Sequence, residues 1–153
     1  MFWCPCTPAV QNAAFPDIFS LVHVDYRLDN LMIRSLGDDT TITAVDWQSL
    51  TLGPPMNDVA YFIGAGLEPD VREPAEEELV RGYYQGLIDA GVGDFSWDDC
   101  WLGYRRGAFA GFAVTVIASM LVQRTERGDT MFTTMARRHA RHAIDLGSAE
   151  FLS

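Results

Sequence analysis

The chain has 153 residues, of which 48% are hydrophobic and 21% are charged, so it is long enough for one folded domain and too apolar for a disordered segment. Acidic residues outnumber basic ones by 21 to 11, and every basic residue is Arg because the sequence contains no Lys. A net charge of −10 without a basic run argues against nucleic acids and anionic membranes as partners.

Cysteine content and hydropathy predict the setting of the chain. The three cysteines, Cys4, Cys6 and Cys100, are too few for a disulfide framework, which favours a reduced, cytoplasmic location. The N-terminus lacks the basic segment of a signal peptide and is interrupted by prolines. The longest uncharged run, 107–122, would form a helix of about 24 Å, shorter than the roughly 30 Å core of a bilayer, and is predicted to be a buried core helix.

Residues 1–20 contain little periodicity and several prolines, which predicts an irregular lead-in to a single domain at 21–153. Three short apolar or β-branched runs then predict strands, and a Gly-Asp-Asp turn separates the last two. The predicted strands are 21–24, 31–33 and 41–45. Together they predict a small β hairpin.

After Pro55 the sequence pattern changes to a helical period. Asn57 or Asp58 is expected to cap the first helix, and Ser96 with Asp99 forms a capping-box pattern that has Asp in place of Glu. The predicted helices are 59–65, 74–90, 97–122 and 130–146. The predicted fold class is therefore α+β and mainly α, with a β hairpin followed by a helical body.

Polar residues cluster between the first two predicted strands. They read H-x-D-x-R-x-x-N from His23 to Asn30, and Asp46 follows the last strand. Phosphoryl transfer requires a carboxylate that orients the attacking hydroxyl and oxygen ligands that hold the magnesium bridging the phosphates. Asp25, Asn30 and Asp46 are the right types at kinase-type spacing. Singly, the three could instead be a strand-closing turn, an Asx turn and a helix N-cap.

The His23 to Asn30 motif, together with 46–48 and 53–62, resembles the aminoglycoside phosphotransferase and choline kinase-like superfamily, and most closely its ecdysteroid kinase-like branch. The resemblance implies a protein-kinase-like fold, of which this chain matches the C-terminal lobe, with the hairpin carrying the catalytic loop. It also implies a phosphotransferase that uses ATP and Mg²⁺ to phosphorylate a hydroxyl of a small molecule.

The resemblance assigns a role to each motif residue. It makes Asp25 the catalytic base, Asn30 and Asp46 the magnesium ligands, and His23 a hydrogen-bonding support for the catalytic loop. Arg27 would steady phosphoryl charge, although a solvated loop arginine is an equal alternative. Asp58 would accept hydrogen bonds from the catalytic-loop backbone, besides or instead of capping the helix.

Other candidates are weaker. His139 and His142 stand three apart on the last helix, a spacing that can ligate a metal, but arginines surround them, so a solvated helix face is predicted. Four aromatic residues at roughly helical intervals could wall a substrate cleft, although such residues are more often core. They are Trp97, Trp101, Tyr104 and Phe109.

A complete kinase-like enzyme also needs an N-terminal lobe with a glycine-rich loop, a strand Lys and a helix Glu. No glycine-rich loop precedes His23, and no Lys occurs in the sequence. The chain is therefore predicted to be a truncated catalytic lobe whose N-terminal lobe is absent.

Several functions remain open at this stage. The alternative to a phosphotransferase lobe is a catalytically inactive remnant or interaction module, with an exposed apolar face where an N-terminal lobe or another chain would dock. A metal-dependent hydrolase built on His23 and Asp25 is more distant. The substrate would be a small hydroxylated compound. Asp94, Asp98 and Asp99 would suit a cationic one, but they are equally a helix cap and its neighbours.

Overall fold

A computed structural model describes residues 19–152. The two N-terminal cysteines, and the predicted lead-in except for its last two residues, lie outside this range. The described part is mainly helical with a small antiparallel β portion, which confirms the predicted fold class.

The β portion consists of two sheets of two strands each. β2 (Leu31–Leu36) and β3 (Asp39–Ala44) form the predicted hairpin, in which Leu31 pairs with Ala44 and Gly37 turns the chain with a φ of 60°. β1 (Ser20–Val22) pairs with β4 (Thr51–Gly53), a strand that the sequence did not predict. The β1–β4 pair encloses the polar motif, because its two strands begin and end the segment that contains His23 to Asp46.

Four helices make up the body: α1 (Met56–Gly66), α2 (Pro69–Asp89), α3 (Trp97–Leu121) and α4 (Glu126–Asp145). Ser96 caps α3 as predicted, since its hydroxyl accepts from the Asp99 amide over 3.1 Å. The other starts were predicted too late. α1 has Pro55 at its N-cap position instead of Asn57 or Asp58, and α4, which Thr125 caps, begins four residues before its predicted start.

The beginning of α2 corrects a second expectation. Pro69 takes the first helical position, where its missing N–H has no intrahelical partner. Pro74, the predicted start, instead lies inside the helix, where it removes one backbone hydrogen bond.

The core lies where α3 crosses α1. Gly107 permits this approach, because a Cβ there would lie 2.8 Å from the Met56 carbonyl oxygen. Tyr104 is fully buried, and the other three aromatic residues proposed as cleft or core pack against the core at partial exposure, as the core alternative predicts. The buried residues of the core are Met56, Ala60, Ile63, Val80, Phe95, Cys100, Tyr104, Ala108, Ala143 and Leu146.

The second half of α3 is less buried than its uncharged sequence predicted. Gly111 and Thr115 are buried, but Met120 and Leu121 at the end of the helix are 80% and 79% exposed. The expectation of a buried core helix through 122 is therefore wrong for its last two turns. No helix within residues 19–152 is long and apolar enough to cross a membrane.

The histidines of α4 contradict the predicted solvated face. His139 and His142 are both fully buried, facing α1 and α3. Their arginine neighbours project elsewhere: Arg137 and Arg138 reach Glu68 at the start of α2, and Arg141 pairs with Asp145. One helix thus carries a buried histidine face and an ionic outer face.

Candidate active site

The turn after β1 carries the first part of the motif, and Asp58 holds its backbone. Asp58 lies in the first turn of α1, and its carboxylate accepts hydrogen bonds from the amides of His23 (2.5 Å) and Val24 (2.9 Å). Val24 has a φ of 73°, a left-handed conformation that is costly for a β-branched residue. These are the contacts that the resemblance implied for Asp58, and they stabilise the strained turn that leads to Asp25.

His23 joins the two ends of the motif. Its ring is buried, and Nε2 forms a hydrogen bond of 2.8 Å with the carbonyl of Val45, the residue before Asp46. The His23 carbonyl accepts from the Ser49 hydroxyl over 2.7 Å. His23 therefore occupies the supporting position that the resemblance implied, away from solvent.

The carboxylate of Asp25 receives three side-chain donors. Tyr61 donates to Oδ1 over 2.9 Å, Asn30 donates from Nδ2 to Oδ2 over 3.0 Å, and Arg27 approaches from Nε at 3.2 Å. The Asp25 side chain still keeps 32% of its surface exposed. The result is a carboxylate of fixed orientation that a substrate can reach.

Asn30 and Asp46 lie at the same end of the hairpin. The Asn30 carbonyl accepts from the Val45 amide over 2.9 Å, which extends the β2–β3 ladder by one residue and places Asn30 beside Asp46. Because the buried Asn30 amide donates from Nδ2 to both the carbonyl and the carboxylate of Asp25, its Oδ1 is directed away from those acceptors.

The Asp46 side chain does not cap a helix, which was the structural alternative to a role as metal ligand. Asp46 occupies the N-cap position of a short 3₁₀ turn at Trp47–Ser49, but its side chain makes no capping hydrogen bond. Its φ of 65° is left-handed, a conformation that Asp tolerates better than most residues. Among residues 19–152 no three His, Cys, Asp or Glu side chains cluster as a metal site, so magnesium here would depend on Asn30, Asp46 and phosphate oxygens.

Arg27 is half-buried, unlike a solvated loop arginine. Besides Asp25 it pairs with Asp29 at 3.6 Å, and its Nη1 lies 3.3 Å from the sulfur of Met131 on α4. It lines a cavity of about 250 Å³ between its own loop and α4, and the wall of this cavity is mixed, with Thr134 and Arg138 beside apolar side chains. Arg27 therefore connects the Asp25 carboxylate to a cavity of small-molecule size.

A second cavity lies on the other side of the motif. It measures about 570 Å³ and is mainly apolar, with Tyr26, Trp47, Phe62 and Tyr83 in its wall beside His23. Its lining comes from both the β portion and the first two helices, so the motif lies between this large apolar cavity and the smaller cavity of mixed lining.

The sequence did not reveal Tyr61. Burial and the neighbouring Asp25 carboxylate raise the pKa of Tyr61 well above its ordinary value, so its hydroxyl stays protonated and donates. A signal was present, because Tyr61 follows Asp58 by three residues and so shares its helix face. Both side chains of that face contact the catalytic loop.

Comparison with known protein families identifies the family of the chain. The model of the ecdysteroid kinase-like family matches residues 9–91, which is more than half of the chain. The match includes the motif, Asp46, Asp58 and Tyr61. No solved structure matches the chain.

Proposed function

The chain belongs to the ecdysteroid kinase-like family, a family of kinase-like phosphotransferases, and we propose that it phosphorylates a hydroxyl of a small molecule with ATP and Mg²⁺. One observation carries the proposal. The Asp25 carboxylate is held by Asn30, Arg27 and Tyr61 at the hairpin end beside Asp46, yet remains open to solvent.

In this proposal Asp25 orients the acceptor hydroxyl and accepts its proton. Asn30 Oδ1 and the Asp46 carboxylate would hold Mg²⁺, because both are hard oxygen ligands and neither is used by the surrounding turns. Bound Mg-ATP would supply the phosphoryl group and neutralise its charge. Arg27 would steady the charge that develops on the phosphoryl oxygens.

We propose that the acceptor enters through the smaller cavity of about 250 Å³, since Arg27 connects that cavity to Asp25. The hydroxyls of Thr130 and Thr134 donate to backbone carbonyls of α4 and so offer acceptor oxygens to a hydroxylated compound, whereas Asp29 favours a cationic group. The three aspartates near Ser96 contribute less support, because Asp99 is used in the α3 cap.

A nucleotide-binding lobe would complete the site. Both β sheets expose large apolar side chains, which is unusual for a surface that stays in water. Those more than half exposed are Leu21, Met32, Ile33, Leu36, Ile42 and Leu52. We propose that an ATP-binding lobe or another chain covers this face. The same exposure favours the second candidate, a catalytically inactive interaction module.

Titration calorimetry with Mg-ATP tests the nucleotide site. We expect wild-type chain to bind and Asp46→Ala to lose binding, whereas Asp38→Ala, at the exposed tip of the hairpin, should bind as the wild type does. Absent binding in both the wild type and Asp46→Ala would contradict a nucleotide site in this chain and favour the interaction module.

Transfer of labelled phosphate from ATP to a panel of hydroxylated small molecules tests the reaction itself. Asp25→Asn keeps the shape of the side chain but removes the base, so the rate should fall by about 10² to 10⁴-fold. A rate unchanged by Asp25→Asn would contradict the role of Asp25.

A further inference from the structure

We infer that Tyr61 is a positioning residue that fixes the Asp25 carboxylate relative to the helical body, an inference that rests on the proposed function. Its hydroxyl donates to Asp25 Oδ1 over 2.9 Å, and the Tyr61 side chain is buried. A base that is already oriented spares the reaction the entropy of ordering it, so a fixed donor contributes to rate without touching the substrate.

The other two donors to Asp25 come from its own loop. Asn30 and Arg27 belong to the same loop as Asp25, five and two residues away, so they move together with the carboxylate. Tyr61 comes from α1, a helix packed against α3 in the core. Tyr61 is therefore the donor that joins Asp25 directly to a core helix, whereas the loop residue Arg27 reaches the helical body only through the Met131 sulfur of α4.

The Tyr61 ring packs against the ring of His139. The two rings stack with their centroids 5.1 Å apart and their planes 16° from parallel. His139 is fully buried between two glycines: a Cβ at Gly64 would lie 2.9 Å from its Nδ1, and one at Gly111 would lie 2.5 Å from the same atom. Three helices thus leave the Tyr61 ring little freedom to shift away from Asp25.

Tyr61→Phe tests the inference, and Tyr104→Phe is its matched control. Both substitutions remove one hydroxyl from a buried tyrosine that donates to a carboxylate, but Tyr104 donates to Glu76 and does not contact Asp25. Three-bond NMR couplings that report the χ1 angle of Asp25 are measured on the full, isotopically labelled chain without substrate. We expect one rotamer in the wild type and in Tyr104→Phe, and rotamer averaging in Tyr61→Phe.

A single Asp25 rotamer in Tyr61→Phe would overturn the inference, and so would averaging in both variants, since that indicates general loosening. Where wild-type chain transfers phosphate, Tyr61→Phe should lower kcat about tenfold with the KM for Mg-ATP unchanged, because Tyr61 contacts neither Asn30 nor Asp46. An unchanged kcat would also overturn it. Absence of transfer by the wild type would contradict the proposed function alone, because the couplings need no substrate.

Discussion

Within residues 19–152 two buried tyrosines donate to carboxylates, and the carboxylates differ in their access to solvent. Tyr61 donates to Asp25 over 2.9 Å, and Tyr104 donates to Glu76 over 3.3 Å. Asp25 keeps 32% of its side chain exposed, whereas Glu76 keeps 8%. The same contact can therefore orient a reactive group where solvent and substrate reach it, and can only stabilise the fold where they do not.

The buried side chains around Glu76 form a network that little solvent reaches, called the closed network below. Arg72, which is completely buried, binds both Glu76 and Asp145. Burial alone would raise the pKa of Glu76, but hydrogen bonds from His142 and Arg72 outweigh it and hold the pKa below its ordinary value. Since Tyr104 donates its proton to Glu76, His142 Nε2 is the donor to the Tyr104 oxygen at 2.9 Å.

The largest effect is expected from breaking the closed network at its cation. Arg72→Met fills a similar volume but leaves Glu76 buried without its arginine, and leaves Asp145 with only the more exposed Arg141. Removing one member of a buried ion pair costs about 3 to 5 kcal/mol, a large share of the stability of a small domain. Urea unfolding followed by circular dichroism measures the loss. A loss below about 1 kcal/mol would show that the network tolerates an unpaired charge.

Acid should weaken the helical body through His139. Burial, and then the charge of His142, lowers the pKa of His139 from 6.5 to about 4. The unfolded chain therefore binds more protons than the folded chain between these values. Stability is fully present above pH 6.5, falls as the pH decreases towards 4 and then levels off, with a total loss of about 3 kcal/mol.

Unfolding free energies measured from pH 7 to pH 4 for the wild type and His139→Asn isolate the contribution of His139 to the pH dependence of stability. The variant should be less stable at pH 7 but should have a shallower pH dependence. Because burial also lowers the pKa of His142, some slope should remain in the variant. Equal slopes in the two proteins would contradict a buried, uncharged His139.

Asp58→Asn should destabilise the turn that leads to the solvent-accessible Asp25, called the open site in contrast to the closed network. The amide offers one acceptor oxygen where two backbone amides, those of His23 and Val24, now share a carboxylate. One donor loses its partner, at a cost of about 1 to 3 kcal/mol, and the left-handed Val24 is released. Asp70→Asn is the control, since Asp70 lies in the first turn of α2 but is exposed. Equal stabilities of the two variants in urea would contradict this role of Asp58.

The open site could be predicted from sequence in larger part than the closed one. Local signals suffice for the hairpin and for the capped start of α3, because turn and capping residues act over a few positions. β4 has three residues and pairs with a strand thirty positions away, so no local period reveals it. Tyr61 needed the i, i+3 relation to Asp58 to be noticed.

The closed network was missed for a different reason. The arginines beside His139 and His142 gave α4 the composition of a solvated helix. Its helical period nevertheless places both histidines on one face with buried apolar residues, so the period was the better guide. That face is formed by Met135, His139, His142, Ala143 and Leu146. Sequence composition cannot show that two polar rings are buried, since their partners lie on other helices.

The smallest effect is expected from a surface ion pair that has the same spacing as a buried one. Two adjacent glutamates of α2 each pair with an arginine four residues away. Glu76 pairs with the buried Arg72, and Glu77 pairs with Arg81 at the surface, where both side chains are more than half exposed. Glu77→Gln should change the unfolding free energy by about 0.5 kcal/mol or less, since water screens exposed pairs. Glu76→Gln should cost several times more, because it weakens the bonds to Arg72, His142 and Tyr104 together. If the two variants unfold at the same urea concentration, the closed network is no more stabilising than a surface pair, and its contrast with the open Asp25 site loses its energetic basis.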